Sequence, residues 1–281
     1  MKRVTIIEQQ SGDYFTLYDN DLGSILRKFQ GLEFADGRER IDDVAGPYGS
    51  VYVNAKHGPR LVTIEGDLVG SNVFTNRRLL ARALRVTGVI KLIKFTTYDD
   101  LDLQFEAEIV KNNNPYVHTV HTFQLQLKAP DWRLYSQELK SFDIARTNLR
   151  GGGTIPGTMP FAIPLSTDPM SDLVSILDNL GDEATDPIFT ITGPGTTFFV
   201  GNDTTGKDFN LPITLLDGDE VVIDVKRRTV IKNGITNLYG SLDGDFWSIN
   251  PGENDIRFLV SSGATQNTNL NISYRDAYNG I

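Results

Sequence analysis

The sequence predicts a mainly β protein built from two units. Most segments alternate apolar and polar residues with a period near two and are rich in Val, Ile, Thr, Phe and Tyr, as half-buried strands are. The 281 residues are enough for two domains. Residues 1–134 carry 17 Lys+Arg and 17 Asp+Glu, whereas residues 135–281 carry 10 and 19, which accounts for the net charge of −9. We therefore predict one domain at 1–134 and a second at 135–281.

The first unit is predicted to be an antiparallel β domain with one helix packed against it. Strand-like stretches such as "RVTIIEQ", "YFTLYD", "SVYVNA" and "RLVTIEGDLVG" are separated by Gly and Pro. In "SNVFTNRRLLARALRVTG", by contrast, the apolar residues recur at helical spacing: Leu79, Leu80, Ala83 and Leu84. Thr75 and Asn76 are suitable N-cap residues, and Gly88 ends the pattern. The spacing predicts a helix near residues 76–87.

The second unit is predicted to be a β-sandwich or jelly roll. It begins with the strand-like "QELKSFDIA", and the connector "RGGGTIPGTMPFAIPLSTDPM" has the glycines and prolines of a loop. From residue 173 onward, short strands recur between turn sequences such as "NLGD", "NDTTG", "LDGDE" and "KNG". The spacing of "DLVSILDNLG" also suits a short helix, but the turn residues that follow favour a strand.

The stretch from residue 225 to residue 258 predicts a wall of this sandwich and contains no reactive group. Asn233 and Gly234 supply the positive φ angles of a tight turn. Phe246 and Trp247 are adjacent, so in an extended chain their side chains point to opposite faces. Trp247 has the larger apolar surface. We predict that Trp247 lies in the core and that Phe246 lies at a rim or partner surface.

The composition argues against several classes of protein. Without cysteine there is no disulfide, thiol nucleophile or cysteine-ligated zinc. We find no run of eighteen apolar residues and no signal-peptide core, and therefore expect no membrane span and folding in a cytoplasm. The acidic net charge argues against general nucleic-acid binding, because neutralising phosphates requires an excess of basic residues.

No arrangement of residues predicts catalysis or metal binding. On a strand, His118 and His121 of "HTVH" would point to opposite faces, and His57 stands alone. A glycosidase needs two carboxylates across a cleft, whereas four carboxylates of "TYDDLDLQFEAEIV" fall on one strand face: Asp100, Asp102, Glu106 and Glu108. Hard oxygen ligands cluster in the acidic loops "VGNDTTGKD" and "LDGDE", so a calcium site there is the alternative, although neither loop has EF-hand spacing. The stretch "GGGTIPG" lacks the Gly-Lys-Ser/Thr of a phosphate loop. We predict no catalytic, cofactor or metal residues.

One charged surface is a candidate for protein binding. Arg78, Arg82 and Arg85 recur at i, i+4 and i+7, so they share one face of the predicted helix. This stripe suits an acidic partner, and a plain solvated face is the alternative.

The order of several motifs resembles the distal tail proteins of siphophages, the Dit family. The motifs are "LVTIEGDLVGSNVFTNRRLLARAL", "FQLQLKAPDWRLYS", and then "LDNLGDEATDPIFTITGPG", "DEVVIDVKRRTVIKNG" and "FWSINPGENDIRF" in succession. The likeness covers nearly the whole chain. The long connector departs from the pattern, and no insertion carries an evident carbohydrate-binding module.

This resemblance implies a structural, non-enzymatic component of the virion, at the distal end of the phage tail and assembled in the host cytoplasm. The first domain would form a ring, usually a hexamer, and the second would be a galectin-like sandwich outside it. The ring would join the tail tube protein to tail-tip and receptor-binding proteins, around a channel through which DNA passes. A galectin-like fold does not itself imply sugar binding. A carbohydrate-binding module for host cell-wall adhesion and a tail-tip glycosidase are the alternatives.

Overall fold

The computed structural model describes residues 1–18, 23–33, 37–43, 50–85, 90–113, 121–145 and 173–281. They form two compact units, Met1–Glu138 with Asp276–Ile281, and Leu139–Arg275. The division therefore lies a few residues after the predicted boundary, and the last residues of the chain return to the first unit. The mainly β fold with a single α-helix in the described residues is confirmed.

Seven strands of the first unit close into a barrel. Its order is β8-β7-β1-β2-β3-β6-β9, and β9 pairs back onto β8. β10 pairs with β8 along the edge that faces away from β7, and β22 pairs with β10. The strands of the unit are β1 (Arg3–Glu8), β2 (Tyr14–Tyr18), β3 (Ser24–Gln30), β4 (Gly37–Asp43), β5 (Ser50–His57), β6 (Arg60–Leu68), β7 (Lys91–Thr96), β8 (Asp102–Asn113), β9 (His121–Ala129), β10 (Leu134–Ser136) and β22 (Ala277–Tyr278).

The helix α1 (Val73–Ala83) begins and ends earlier than predicted. Thr75 and Asn76 lie inside it instead of capping it, because the preceding turn starts the helix through backbone bonds without a side-chain cap. The Asn76 carboxamide donates to the Gly23 carbonyl at 3.2 Å. Gly88 lies outside the described residues. Leu79 is 40% exposed, a correction to the predicted apolar face, and the helix contributes to the core through Val73, Leu80, Ala83 and, just after its end, Leu84.

A buried arginine holds the end of the chain in the first unit. The Arg60 guanidinium, 4% exposed, donates to the carbonyls of Trp132 at 2.8 Å and Gly31 at 3.1 Å, and also to that of Asn279. In addition, the Ile281 N–H donates to the Leu32 carbonyl at 3.1 Å. These bonds link segments that are distant in sequence, which explains why the sequence pattern did not predict the return of the chain.

The hairpin β4–β5, which lies between β3 and β6 in the sequence, forms a separate two-stranded sheet. Its two strands pair with each other and not with the barrel sheet.

The second unit consists of two antiparallel sheets around one core. The six-stranded sheet has the order β11-β21-β13-β16-β17-β18, and the five-stranded sheet has the order β12-β20-β14-β15-β19. The strands are β11 (Lys140–Ala145), β12 (Leu173–Asn179), β13 (Ile188–Thr192), β14 (Gly195–Asn202), β15 (Lys207–Leu215), β16 (Glu220–Asp224), β17 (Thr229–Lys232), β18 (Thr236–Asn237), β19 (Asp243–Gly244), β20 (Gly252–Ser262) and β21 (Asn269–Tyr274). The ring of Phe189 on one sheet meets that of Phe209 on the other, with centroids 5.3 Å apart.

Two local predictions in this unit are confirmed. The segment "DLVSILDNLG" forms strand β12 and not a helix. Asn233 and Gly234, with φ of 49° and 71°, form the turn between β17 and β18. The Asn233 carboxamide donates to Asp219 at 2.9 Å, and hydrogen bonding from Lys232 and Asn233 lowers the pKa of that carboxyl. The glycine-rich connector lies outside the described residues.

Candidate interaction surfaces

The carboxylates of β8 lie on a solvated face of the strand. Asp102, Glu106 and Glu108 are exposed on alternating positions of the strand. Asp100, predicted on the same face, lies instead in the preceding turn with a φ of 65°. Asp102 accepts a hydrogen bond from Thr96 at 2.6 Å, and Glu106 accepts one from Gln9 at 2.9 Å. Asp102 and Glu106 are thus hydrogen-bonded to neighbouring side chains of the same unit.

The two described histidines have different surroundings. The His57 ring is stacked on Trp132, with centroids 3.9 Å apart. His121 is fully buried at the start of β9, and His118 lies outside the described residues. Within the described ranges, no group of three or more His, Asp or Glu side chains is placed to hold a metal ion. No α-helix in the same ranges is long and apolar enough to span a membrane.

The three arginines of the predicted docking stripe are exposed. Arg78 and Arg82 lie one turn apart in α1, whereas Arg85 follows the last helical residue. Among the described residues, none of the three forms an ion pair. Whether an acidic partner uses this surface stays a prediction.

The prediction for Trp247 is confirmed, since the side chain is 1% exposed. Its ring packs against Phe189 and Phe209, with centroid distances of 4.7 and 6.3 Å. The indole Nε1 has no hydrogen-bond partner among the described residues. Trp247 is thus held by apolar packing alone, and it is not a surface platform.

Phe246 faces the other way and lines a surface recess of about 390 Å³. It lies in an extended segment in which residues 247 and 249 are buried and residues 246, 248 and 250 face outward. The ring of Tyr239, which is 52% exposed, is stacked on that of Phe246 at 5.8 Å and 18°. The other residues that line the recess are Ala184, Thr205, Lys207, Ser248 and Asn250. Phe246 is half-buried and also packs against the core cluster of the unit. Its predicted role at a rim or partner surface stays a prediction, and the sequence did not predict the recess.

Buried amides hold the walls of this recess. The Asn202 carboxamide donates to that of Asn254 at 3.0 Å, and both side chains are buried. Asn202 also accepts from the Thr205 N–H, and Asn254 donates to the carbonyl of Asn250 at 2.9 Å. The Ser248 hydroxyl donates to Asp186 at 2.6 Å. The recess is therefore preorganised by hydrogen bonds beneath its surface.

Comparison with known proteins identifies the type of the second unit. Residues 180–278 match the family model described as "Siphovirus-type tail component, C-terminal domain". No curated protein matches the chain. The resemblance to siphophage distal tail proteins that the motifs indicated is confirmed.

Solved structures show the same fold along nearly the whole chain. The Dit (gp 19.1) protein of phage SPP1, described as a paradigm of the hub adsorption apparatus in phages that infect Gram-positive bacteria, is 12% identical. The match has a TM-score of 0.60 and covers 96% of this chain and 98% of that chain. A chain of the phage P2 baseplate, in its activated conformation with Ca, is 12% identical over 100% of both chains, with a TM-score of 0.54. The corresponding structure with Sr is 13% identical, with a TM-score of 0.52, and the match covers 97% of this chain and 98% of that chain.

Proposed function

We propose that the protein is a distal tail protein that forms a ring, with six copies as the expected number, at the end of a siphophage tail. The observation that carries this proposal is the fold match to the SPP1 Dit protein, which spans both units. The tail-component domain at residues 180–278 supports it independently, because that match rests on sequence. The ring joins the tail tube protein to tail-tip and receptor-binding proteins, and DNA passes through its channel during infection.

The outer face of the barrel offers a surface for ring formation. Tyr14 on β2, Ile7 on β1 and Leu92 on β7 are in register, so they form a row across three strands. Tyr14 is 65% exposed and the other two are half-buried. An apolar row on a strand face favours association, and a second copy of the chain is the partner that closes a symmetric ring. The separate β4–β5 hairpin gives the same barrel a second element for contact with a neighbour.

Native mass spectrometry, with and without the tail tube protein, tests this proposal. We expect an assembly of about six times the chain mass of 31.2 kDa, alone or when the tube protein is added. Tyr14→Arg should reduce it to smaller species, because a charge would be buried in the interface. Ile235→Arg is the matched control, since Ile235 is 88% exposed in the second unit. A monomer under both conditions would refute the ring.

The proposed role is structural, so the purified protein should not degrade host cell-wall polymers. On β8, Asp102 and Glu106 accept hydrogen bonds from neighbouring side chains, whereas a glycosidase needs two carboxylates across a cleft. Reducing-sugar release from host walls is the measurement. Release of reducing sugar by the wild-type protein that disappears in Glu106→Gln would instead establish a hydrolase.

A further inference from the structure

We propose that the recess beside Phe246 binds a neutral saccharide unit. This site goes beyond the proposed tail role, because a ring component needs no sugar site. The inference rests on three features: an aromatic shelf, polar groups with free hydrogen-bonding capacity, and a rigid frame.

The aromatic shelf comes from two stacked rings. Phe246 lines the recess, and the half-exposed Tyr239 ring is stacked on it at a centroid distance of 5.8 Å. The aromatic surface that Phe246 presents to the recess can pack against the apolar C–H face of a pyranose ring.

The polar groups suit hydroxyls. The Lys207 ammonium offers donors, and the Asn250 carboxamide offers both donors and an acceptor. Among the described residues, neither side chain has a hydrogen bond or an ion pair, although both line the recess. The Ser248 hydroxyl, which donates to Asp186 at 2.6 Å, has lone pairs left to accept from a ligand. Vicinal hydroxyls, which both donate and accept, fit this mixture.

The charge of the recess favours a neutral ligand. One cation, Lys207, lies in its wall, and one carboxylate, Asp186, lies behind Ser248. The protein as a whole carries a net charge of −9. The two local charges nearly balance, which suits a neutral sugar, whereas a phosphate would be attracted by Lys207 but repelled by Asp186 and by the negative charge of the protein as a whole.

The frame reduces the cost of ordering the site. The buried Asn202–Asn254 pair connects the turn that carries Thr205 with the turn that carries Asn250. The third wall, at Ala184, is fixed because Thr185 and Ile249 exchange two backbone hydrogen bonds of 3.0 and 2.8 Å. Walls that are already fixed lose little conformational entropy on binding. The volume of about 390 Å³ lies in the range of small-ligand sites.

Saturation-transfer NMR on the full chain, with four methyl glycosides as probes, tests the proposal. The probes are those of glucose, galactose, rhamnose and N-acetylglucosamine, at millimolar concentrations, with glycerol 3-phosphate as the anionic comparison. We expect transfer to at least one glycoside, and weaker transfer to glycerol 3-phosphate. Phe246→Ala should weaken binding at least about tenfold, because it removes the shelf, and Asn250→Ala about three- to tenfold, because it removes one polar partner.

Two features keep the test decisive. Ile235→Ala, an exposed apolar change elsewhere in the second unit, should leave binding unchanged. Asn250 is exposed, so Asn250→Ala reports on binding even if Phe246→Ala impairs folding. No transfer to any glycoside, binding unaffected by both recess variants, or preference for glycerol 3-phosphate would each overturn the proposal. Ring assembly measured on the same samples separates this outcome from failure of the proposed tail role.

Discussion

Replacing Trp247 by Ala should destabilise the second unit selectively. The side chain is 1% exposed and packs between the rings of Phe189 and Phe209, so its removal leaves a large cavity between the two sheets. Truncating a buried Trp to Ala costs about 3–5 kcal/mol, against a total domain stability of about 5–15 kcal/mol. A loss of that size lowers Tm by roughly 10–20 °C for a unit of this length. The core cluster of the first unit is separate and should keep its stability.

Differential scanning calorimetry of the full chain measures the effect, with proteolysis of each unit to assign the transitions. Trp247→Phe should cost less than Trp247→Ala, because Phe keeps most of the apolar volume and the lost Nε1 has no partner among the described residues. Ile235→Ala should leave both transitions in place, since that side chain is 88% exposed. An unchanged Tm for Trp247→Ala, or an equal fall in both units, would refute the reasoning.

Three further predictions concern the first unit. Hydrogen bonds from the Ser11 side chain and backbone lower the pKa of Glu8 to about 2. The stability that this carboxylate contributes is therefore present above about pH 4.5 and is lost as the pH falls toward 2. Denaturant titrations at a series of pH values should show a smaller loss of stability at acid pH for Glu8→Gln than for the wild type, and an equal loss would contradict the assignment. Lys91→Met should destabilise the first unit, because Lys91 is 1% exposed and 3.7 Å from Glu8, and the buried carboxylate would lose its counter-ion. Calorimetry should show a lower Tm for the first unit only, and an equal or higher Tm would contradict a stabilising Lys91–Glu8 ion pair. Gly31→Ala should impair folding, because Gly31 has a φ of +93° and a Cβ there would lie 1.9 Å from the Leu61 carbonyl oxygen; soluble protein with a native Tm would show the reasoning to be wrong.

The sequence predicted the features that depend on local signals. Strand β12 was predicted from the turn residues that follow it, and the burial of Trp247 from the alternation of strand faces together with the larger apolar surface of Trp. The start of α1 was placed too late, because backbone bonds begin the helix and Asn76, the predicted cap, bonds to Gly23 instead. A cap is a local signal that tertiary contacts can override.

Features built from distant segments were beyond the sequence pattern. The return of the chain end to the first unit depends on Arg60, which bonds to the carbonyl of Asn279. The recess beside Phe246 depends on a buried bond between Asn202 and Asn254. Asn residues are common in ordinary turns. The local sequence pattern therefore does not show which Asn side chains hold the walls of a recess.

The position of the protein in the virion tests the central claim most directly. An epitope tag inserted at Gly206, an exposed turn with a φ of +67° and free space around it, can be labelled with gold-conjugated antibody on assembled particles. The proposed function predicts a single cluster of gold at the tail end farthest from the capsid. Gold along the tail tube or at the capsid, or virions that carry no label although the tagged protein is made, would contradict it.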